Sequence, residues 1–153
     1  MSVLLIVSLS AALPLSAASH VDVVKMRTEN QVNPLGIGTS TPRFSWQITS
    51  DRKGVVQTSY QILVASSREK LDRNEADLWD SGERNSDEQL WIPYQGKALL
   101  SGAQAYWKVR ITTNKGKSEW TEPQLFTIGL LGETKWSGTW IGLEDLQPGE
   151  QKG

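Results

Sequence analysis

A chain of 153 residues with 16 Lys and Arg against 17 Asp and Glu carries a formal charge of -1, so it has no electrostatic footprint for nucleic acid or an anionic membrane. No cysteine and one histidine, His20, exclude disulfide frameworks, thiol nucleophiles, structural zinc and any mechanism that uses a protein histidine as base. The length suits one domain that buries roughly two thirds of its unfolded surface, and seven tryptophans supply large faces that fill a core or stack on sugar rings.

Residues 1–18 read as a signal peptide: an apolar run over 3–13, then Ser16, Ala17 and Ala18 as the small residues a signal peptidase requires. The run is shorter than the roughly 20 residues that span a bilayer and Pro14 interrupts it, so export without a membrane span is expected. The signal is atypical in lacking a basic residue before the apolar run.

From residue 19 onward the hydrophobic period is two. VDVVKMR, near the mature N-terminus, is read as a first strand. In RFSWQIT, Phe44, Trp46 and Ile48 share one face, the pattern of a half-buried strand. SYQILVASS places Tyr60, Ile62 and Val64 on one side and Leu63 and Ala65 on the other, which predicts a strand covered on both faces. The polar segment around Gly54 between these strands has the composition of a hairpin connection that would pair them.

The charged stretch 67–79 predicts a loop with a short helix. In QLWIPY, Leu90 and Ile92 point together and Trp91 opposite, and Pro93 makes this an edge strand or a strand end. YWKVRITT puts Trp107, Val109 and Ile111 inward, with Lys108 and Arg110 on a solvated face or an interdomain contact. A tight turn at 114–117 leads back to a last strand over 122–130. About seven short strands and no competing helical period predict an all-β fold, an antiparallel β-sandwich of the fibronectin type III or immunoglobulin-like kind, over residues 19–131.

Four stretches together, RTENQVNPLGIGTSTPRFSWQITSDRKGVVQTSYQILVASS (27–67), DLWDSG (77–82), YWKVRITTNKGKSEWTEPQLFTIGLL (106–131) and KWSGTWIG (135–142), resemble the N-terminal fibronectin-like module of bacterial α-L-rhamnosidases of glycoside hydrolase family 78. One departure concerns the tyrosine corner of such sandwiches. Six residues beyond Leu99 stands Ala105, in register with Trp107, and six beyond Leu100 stands Tyr106, out of register.

The resemblance implies a non-catalytic front piece of an exported, inverting glycoside hydrolase whose catalytic barrel and acids lie outside this chain. It also implies that residues 132–153 begin the connection to a next domain, with Trp136, Trp140 and Ile141 as interdomain contacts. Neighbouring domains of the parent are the expected partners, and rhamnose-containing glycans are met through the parent. No catalytic residue, metal ligand or cofactor is expected on this chain.

Glycoside hydrolysis by inversion needs two facing carboxyl groups, one protonated, whereas Glu29, Asp51, Asp80, Glu83, Glu119 and Glu122 fall in turns or strand ends where solvated carboxylates are normal. The alternative function is a stand-alone secreted module that binds carbohydrate or protein, with Trp79, Trp91 and Trp120 as stacking faces. The competing reading of the same residues has Trp46 and Trp107 filling the core, Trp79 and Trp91 covering sheet edges, and Trp136 and Trp140 meeting the next domain. Their scatter along the sequence favours that packing reading.

Overall fold

The computed structural model describes residues 21–132. The expected signal peptide, the expected connection to a next domain and the candidate contact residues Trp136, Trp140 and Ile141 lie outside the described residues. Within them, two antiparallel sheets face each other. One holds β1 (Val21–Thr28), β2 (Arg43–Ser50) and β6 (Ile92–Pro93) in the order β1-β2-β6. The other is built on β3 (Gln57–Ala65) and β7 (Gln104–Thr113), paired over eight registered positions.

The two edges of this second sheet are each made of two short pieces. β4 (Trp79–Asp80) and β5 (Arg84–Asn85) both pair with β3, and β8 (Gly116–Lys117) and β9 (Gln124–Thr127) both pair with β7. Where each edge breaks, hydroxyl groups stand in for the missing ladder. Ser81 Oγ accepts from the Ile62 amide at 2.8 Å, Ser118 Oγ from Ile111 at 3.1 Å and Thr121 Oγ1 from Val109 at 3.0 Å. These bonds satisfy amides of central strands that would otherwise be orphaned in a buried setting.

The predicted alternation explains the core. Phe44 and Trp46 from the first sheet meet Tyr60, Ile62, Val64, Trp107, Val109 and Ile111 from the second, all buried. The Phe44 and Trp107 rings lie 4.4 Å apart between centroids, and Trp46 meets Tyr60 edge-on at 5.3 Å. β3 is covered on its other side too: Leu63 and Ala65 pack with Leu71 of helix α1 (Arg68–Asp72). Ser67 caps that helix, its side chain accepting from the Lys70 amide.

The hairpin expected between β2 and β3 is absent. These strands belong to opposite sheets, so the segment around Gly54 crosses between layers. Asn114, in the turn between β7 and β8, fixes the crossing. Its amide donates to the Val56 carbonyl, its Oδ1 accepts from the Val56 amide at 3.0 Å and its Nδ2 donates to the Gly54 carbonyl at 2.9 Å. Buried Gln57 then spans the two layers, accepting from Trp46 Nε1 at 3.1 Å and donating to the Ser86 and Glu88 carbonyls.

At the tyrosine-corner position, Ala105 points into the core and Tyr106 lies on the outer face. Tyr94 supplies a buried phenol instead, donating to the Lys97 carbonyl at 2.7 Å, and burial pushes its pKa up to about 12. Gly96 closes this corner, since a Cβ there would sit 2.4 Å from Trp79 Cβ and 2.5 Å from the Leu78 carbonyl oxygen.

Candidate functional site

The three candidate stacking tryptophans do not converge. Trp79, on the edge piece β4, is half-buried and packed against the core, 6.3 Å from the Phe44 ring and edge-on to Tyr94 at 5.4 Å. It acts as the sheet-edge cover that the packing reading anticipates.

Trp120 lies on the outer face of the second sheet, over β7. The Arg110 guanidinium sits 4.4 Å from its ring centroid and the Lys108 ammonium 5.1 Å, both within the reach of cation–π attraction. Alternation along β7 predicts a solvated Lys108, and the structure corrects this: the residue is only 5 % exposed. The turn that follows α1 folds over it, so that Nζ donates to the Leu71 carbonyl and to Asn74 Oδ1 at 2.8 Å. Burial pushes the ammonium's pKa down. Arg110 is half-buried and donates to Gln61 Oε1 at 3.1 Å.

Trp91 sits on the first sheet and differs from both. It is 47 % exposed, and Leu90 beside it is 64 % exposed, so the expected pairing of Leu90 with Ile92 on one inward face is not formed. The cause is local: Trp91 adopts φ 59°, a left-handed conformation that reverses the side-chain alternation and costs a bulky residue about 1–3 kcal/mol. Its amide donates to Ser45 Oγ at 3.0 Å, and the Arg43 guanidinium lies 4.3 Å from its ring centroid.

Arg43 is itself held by Glu29, through Nη2 to Oε2 at 2.7 Å and Nε to Oε1 at 3.1 Å, and Oε1 also accepts from the Arg43 amide at 2.8 Å. The fork from Arg43 holds the Glu29 carboxyl below its ordinary range. An open hollow of about 270 Å³ beside Trp91 is lined by Lys25, Arg27, Asn30, Gln47 and Leu90 among others.

Three of the other candidate acids make structural contacts. Asp80 accepts from Gln61 and the Gly82 amide, Glu83 from Ser59 and Thr112, and Glu122 pairs with Arg68 at 2.6 Å. Among the described residues the carboxylates with a displaced titration, Glu29, Glu69, Glu75, Asp77 and Glu83, are all displaced downward. That is the opposite of what a general acid requires. Among the described residues no group of three or more His, Cys, Asp or Glu is placed to hold a metal ion, and no helix is long and apolar enough to cross a membrane.

Comparison with known proteins places this architecture. Residues 23–132 match the family model described as the Rha78A-like, N-terminal immunoglobulin domain. An α-L-rhamnosidase of Formosa agariphila is 39 % identical over 127 residues, which are 82 % of this chain and 13 % of that enzyme. The crystal structure of the Streptomyces avermitilis α-L-rhamnosidase complexed with L-rhamnose superposes with a TM-score of 0.74 at 36 % identity, over 80 % of this chain and 12 % of that one. The α-L-rhamnosidase structure from Dictyoglumus thermophilum gives 0.71 at 36 %, over 74 % and 13 %. The chain therefore spans about an eighth of the relatives it matches.

Proposed function

The chain belongs to the Rha78A-like N-terminal immunoglobulin domains, and from that membership we propose that it serves an exported, inverting α-L-rhamnosidase by packing against neighbouring domains of the parent. It is an accessory module rather than the catalytic one: the rhamnosidases it matches devote only 12–14 % of their length to this region. That proportion carries the reading, because the two facing carboxyl groups of an inverting hydrolase then belong to the rest of the parent.

One apolar pole supports a docked position. Gly36 and Gly129 approach so closely that a Cβ on Gly129 would meet the Gly36 oxygen at 2.8 Å. Ile37 bridges Ile128, and the Gly102 amide bonds to the Ile128 carbonyl. These contacts gather the segments that carry Leu35, Leu100 and Leu130, which are 77, 73 and 64 % exposed. Isolated exposed leucines are ordinary, but three on adjoining segments beside Gly132, where the chain continues toward Trp136, Trp140 and Ile141, fit an interdomain face.

The test uses the full parent enzyme. It should be secreted after cleavage following Ala18 and release rhamnose from an aryl rhamnoside with inverted anomeric configuration, while the 153-residue chain releases none. Substituting Leu35, Leu100 and Leu130 together by serine should speed proteolytic cutting between the module and the rest of the parent without unfolding the module. Turnover by the isolated chain that one acid substitution abolishes would overturn the accessory role, and unchanged proteolysis would overturn the docking face.

A further inference from the structure

The hollow beside Trp91 is built in a way that the core does not require. Three non-glycine residues with positive φ line it, Lys25 at 50°, Asn30 at 64° and Trp91 at 59°. Lys25 falls within the irregularity of β1, where the register against β2 shifts between Val24 and Arg27, so the bulge re-aims a cation just as the left-handed turn re-aims an aromatic ring. Backbone strain of this kind gathers where a surface is arranged for contact.

The supports beneath the ring are rigid. Ser45 accepts from the Trp91 amide, Arg43 lies under the indole, and Glu29 grips Arg43 by two side-chain bonds and one to its amide. Arg43 is thereby neutralised.

The charge that remains at the hollow is of one sign. Its lining includes Lys25 and Arg27 and no carboxylate. Arg43, Arg68, Lys70, Arg73 and Lys117 are each held in an ion pair, whereas no such pair holds Lys25 or Arg27 among the described residues. Arg27 donates from Nη1 to the Asn30 carbonyl at 3.1 Å, which turns its guanidinium toward the hollow's rim and leaves other donors of its fork available.

An aromatic face of this breadth, two cations and the amides of Asn30 and Gln47 match one ligand chemistry. We infer that the hollow binds an acidic sugar ring, the pyranose stacking on Trp91 and its carboxylate or sulfate meeting Lys25 and Arg27. A carboxylate or sulfate makes charge-assisted bonds to such donors that a neutral sugar cannot. This goes beyond the accessory role and does not depend on the parent's activity.

The experiment titrates the 153-residue chain by calorimetry with three trisaccharides: a galacturonate oligomer, its methyl ester, and a sulfated galactan oligomer. At least one acidic ligand should bind about tenfold tighter than the neutral ester, as loss of a charge-assisted bond implies, and rising salt should erase the difference. Which acidic ligand prevails separates carboxylate from sulfate recognition.

Trp91→Ala should abolish binding and Trp91→Phe restore part of it, while the joint substitutions Lys25→Gln and Arg27→Gln should reduce the acid to the level of the ester. Melting curves of all variants establish that they remain folded. Binding of both acidic ligands no tighter than the ester, no heat from any ligand at about 10 mM, a scale at which even weak one-ring sites respond, or unaltered affinity in Trp91→Ala would each overturn the assignment. The accessory role would survive any of these results, and a parent unable to release rhamnose would leave the hollow's chemistry untouched.

Discussion

Two tryptophans of this molecule rest on arginine, and their surroundings have opposite consequences. Trp120 lies over Arg110 and Lys108 on a face that α1 and the turn after it close over. Trp91 lies over Arg43 on a face that stays open. At the first, the ring helps bury a lysine and the contact belongs to the fold. At the second, the cation is already matched by Glu29 and the ring is held out to solvent by a strained backbone. An aromatic over a cation therefore carries no fixed meaning: what covers the pair decides whether it stabilises the sandwich or presents a surface.

The sharpest way to break this contrast is to remove the buried cation. Lys108→Ala would leave the Leu71 carbonyl and Asn74 Oδ1 without their donor and should cost about 1–3 kcal/mol, read as a lower urea midpoint at unchanged m-value. Lys25→Ala, on the exposed hollow, should stay within about 0.5 kcal/mol of the wild type. Equal losses would mean that the two faces are alike.

A milder version exchanges the rings. Trp120→Ala uncovers the stems of Lys108 and Arg110 and should cost about 1 kcal/mol. Trp91→Ala gives up a cation contact on an open face, where little else packs on the ring, so its melting temperature should barely move.

A further difference is a pH dependence on the α1 side. Burial alone would raise the Asp77 pKa, but bonds from Lys70 Nζ and from the Ser66 amide and hydroxyl outweigh it and hold the carboxyl at about 2. A carboxyl depressed in the folded state adds stability that is present above its unfolded pKa and disappears as pH falls through the folded one. Asp77→Asn should thus lose about 1 kcal/mol at pH 7, a figure that allows for solvent screening of a pair about one third open. The gap from wild type should close between about pH 4 and pH 2. A gap that persisted to pH 2 would point to packing rather than charge.

The alternation of Phe44 and Trp46, and of Trp107, Val109 and Ile111, made the core and the fold class readable, because a period of two maps directly onto one buried face. Leu63 and Ala65, apolar on the opposite side of the same strand, likewise announced the cover that α1 provides. The segment around Gly54 misled because polar, glycine-containing composition describes any sharp connection. Whether it joins neighbours in one sheet or crosses between two is set by distant partners, here Asn114 and Gln57.

Lys108 misled for a related reason. Alternation tells which residues face outward but not what lies over them, and a five-residue helix followed by a turn was enough to bury this one. At Leu90 the local rule itself fails. The left-handed Trp91 leaves Leu90 exposed while Ile92 is buried, and tryptophan carries no sequence signal for that conformation; the open ring opposite Ile92 follows the alternation, but Lys25 and Arg27 could not be joined to it from spacing.

The hydroxyls of Ser81, Ser118 and Thr121 have a consequence for life inside a long polypeptide. A sheet border with a continuous row of unmet amides invites any passing strand to extend it, including one from a domain tethered nearby at high effective concentration. Here both borders are cut into two short pieces, and side chains of the same border already answer the inner strands where they are cut. The sheet built on β3 and β7 therefore offers no long template at either border, so that sheet can lie against neighbouring domains without exchanging strands there.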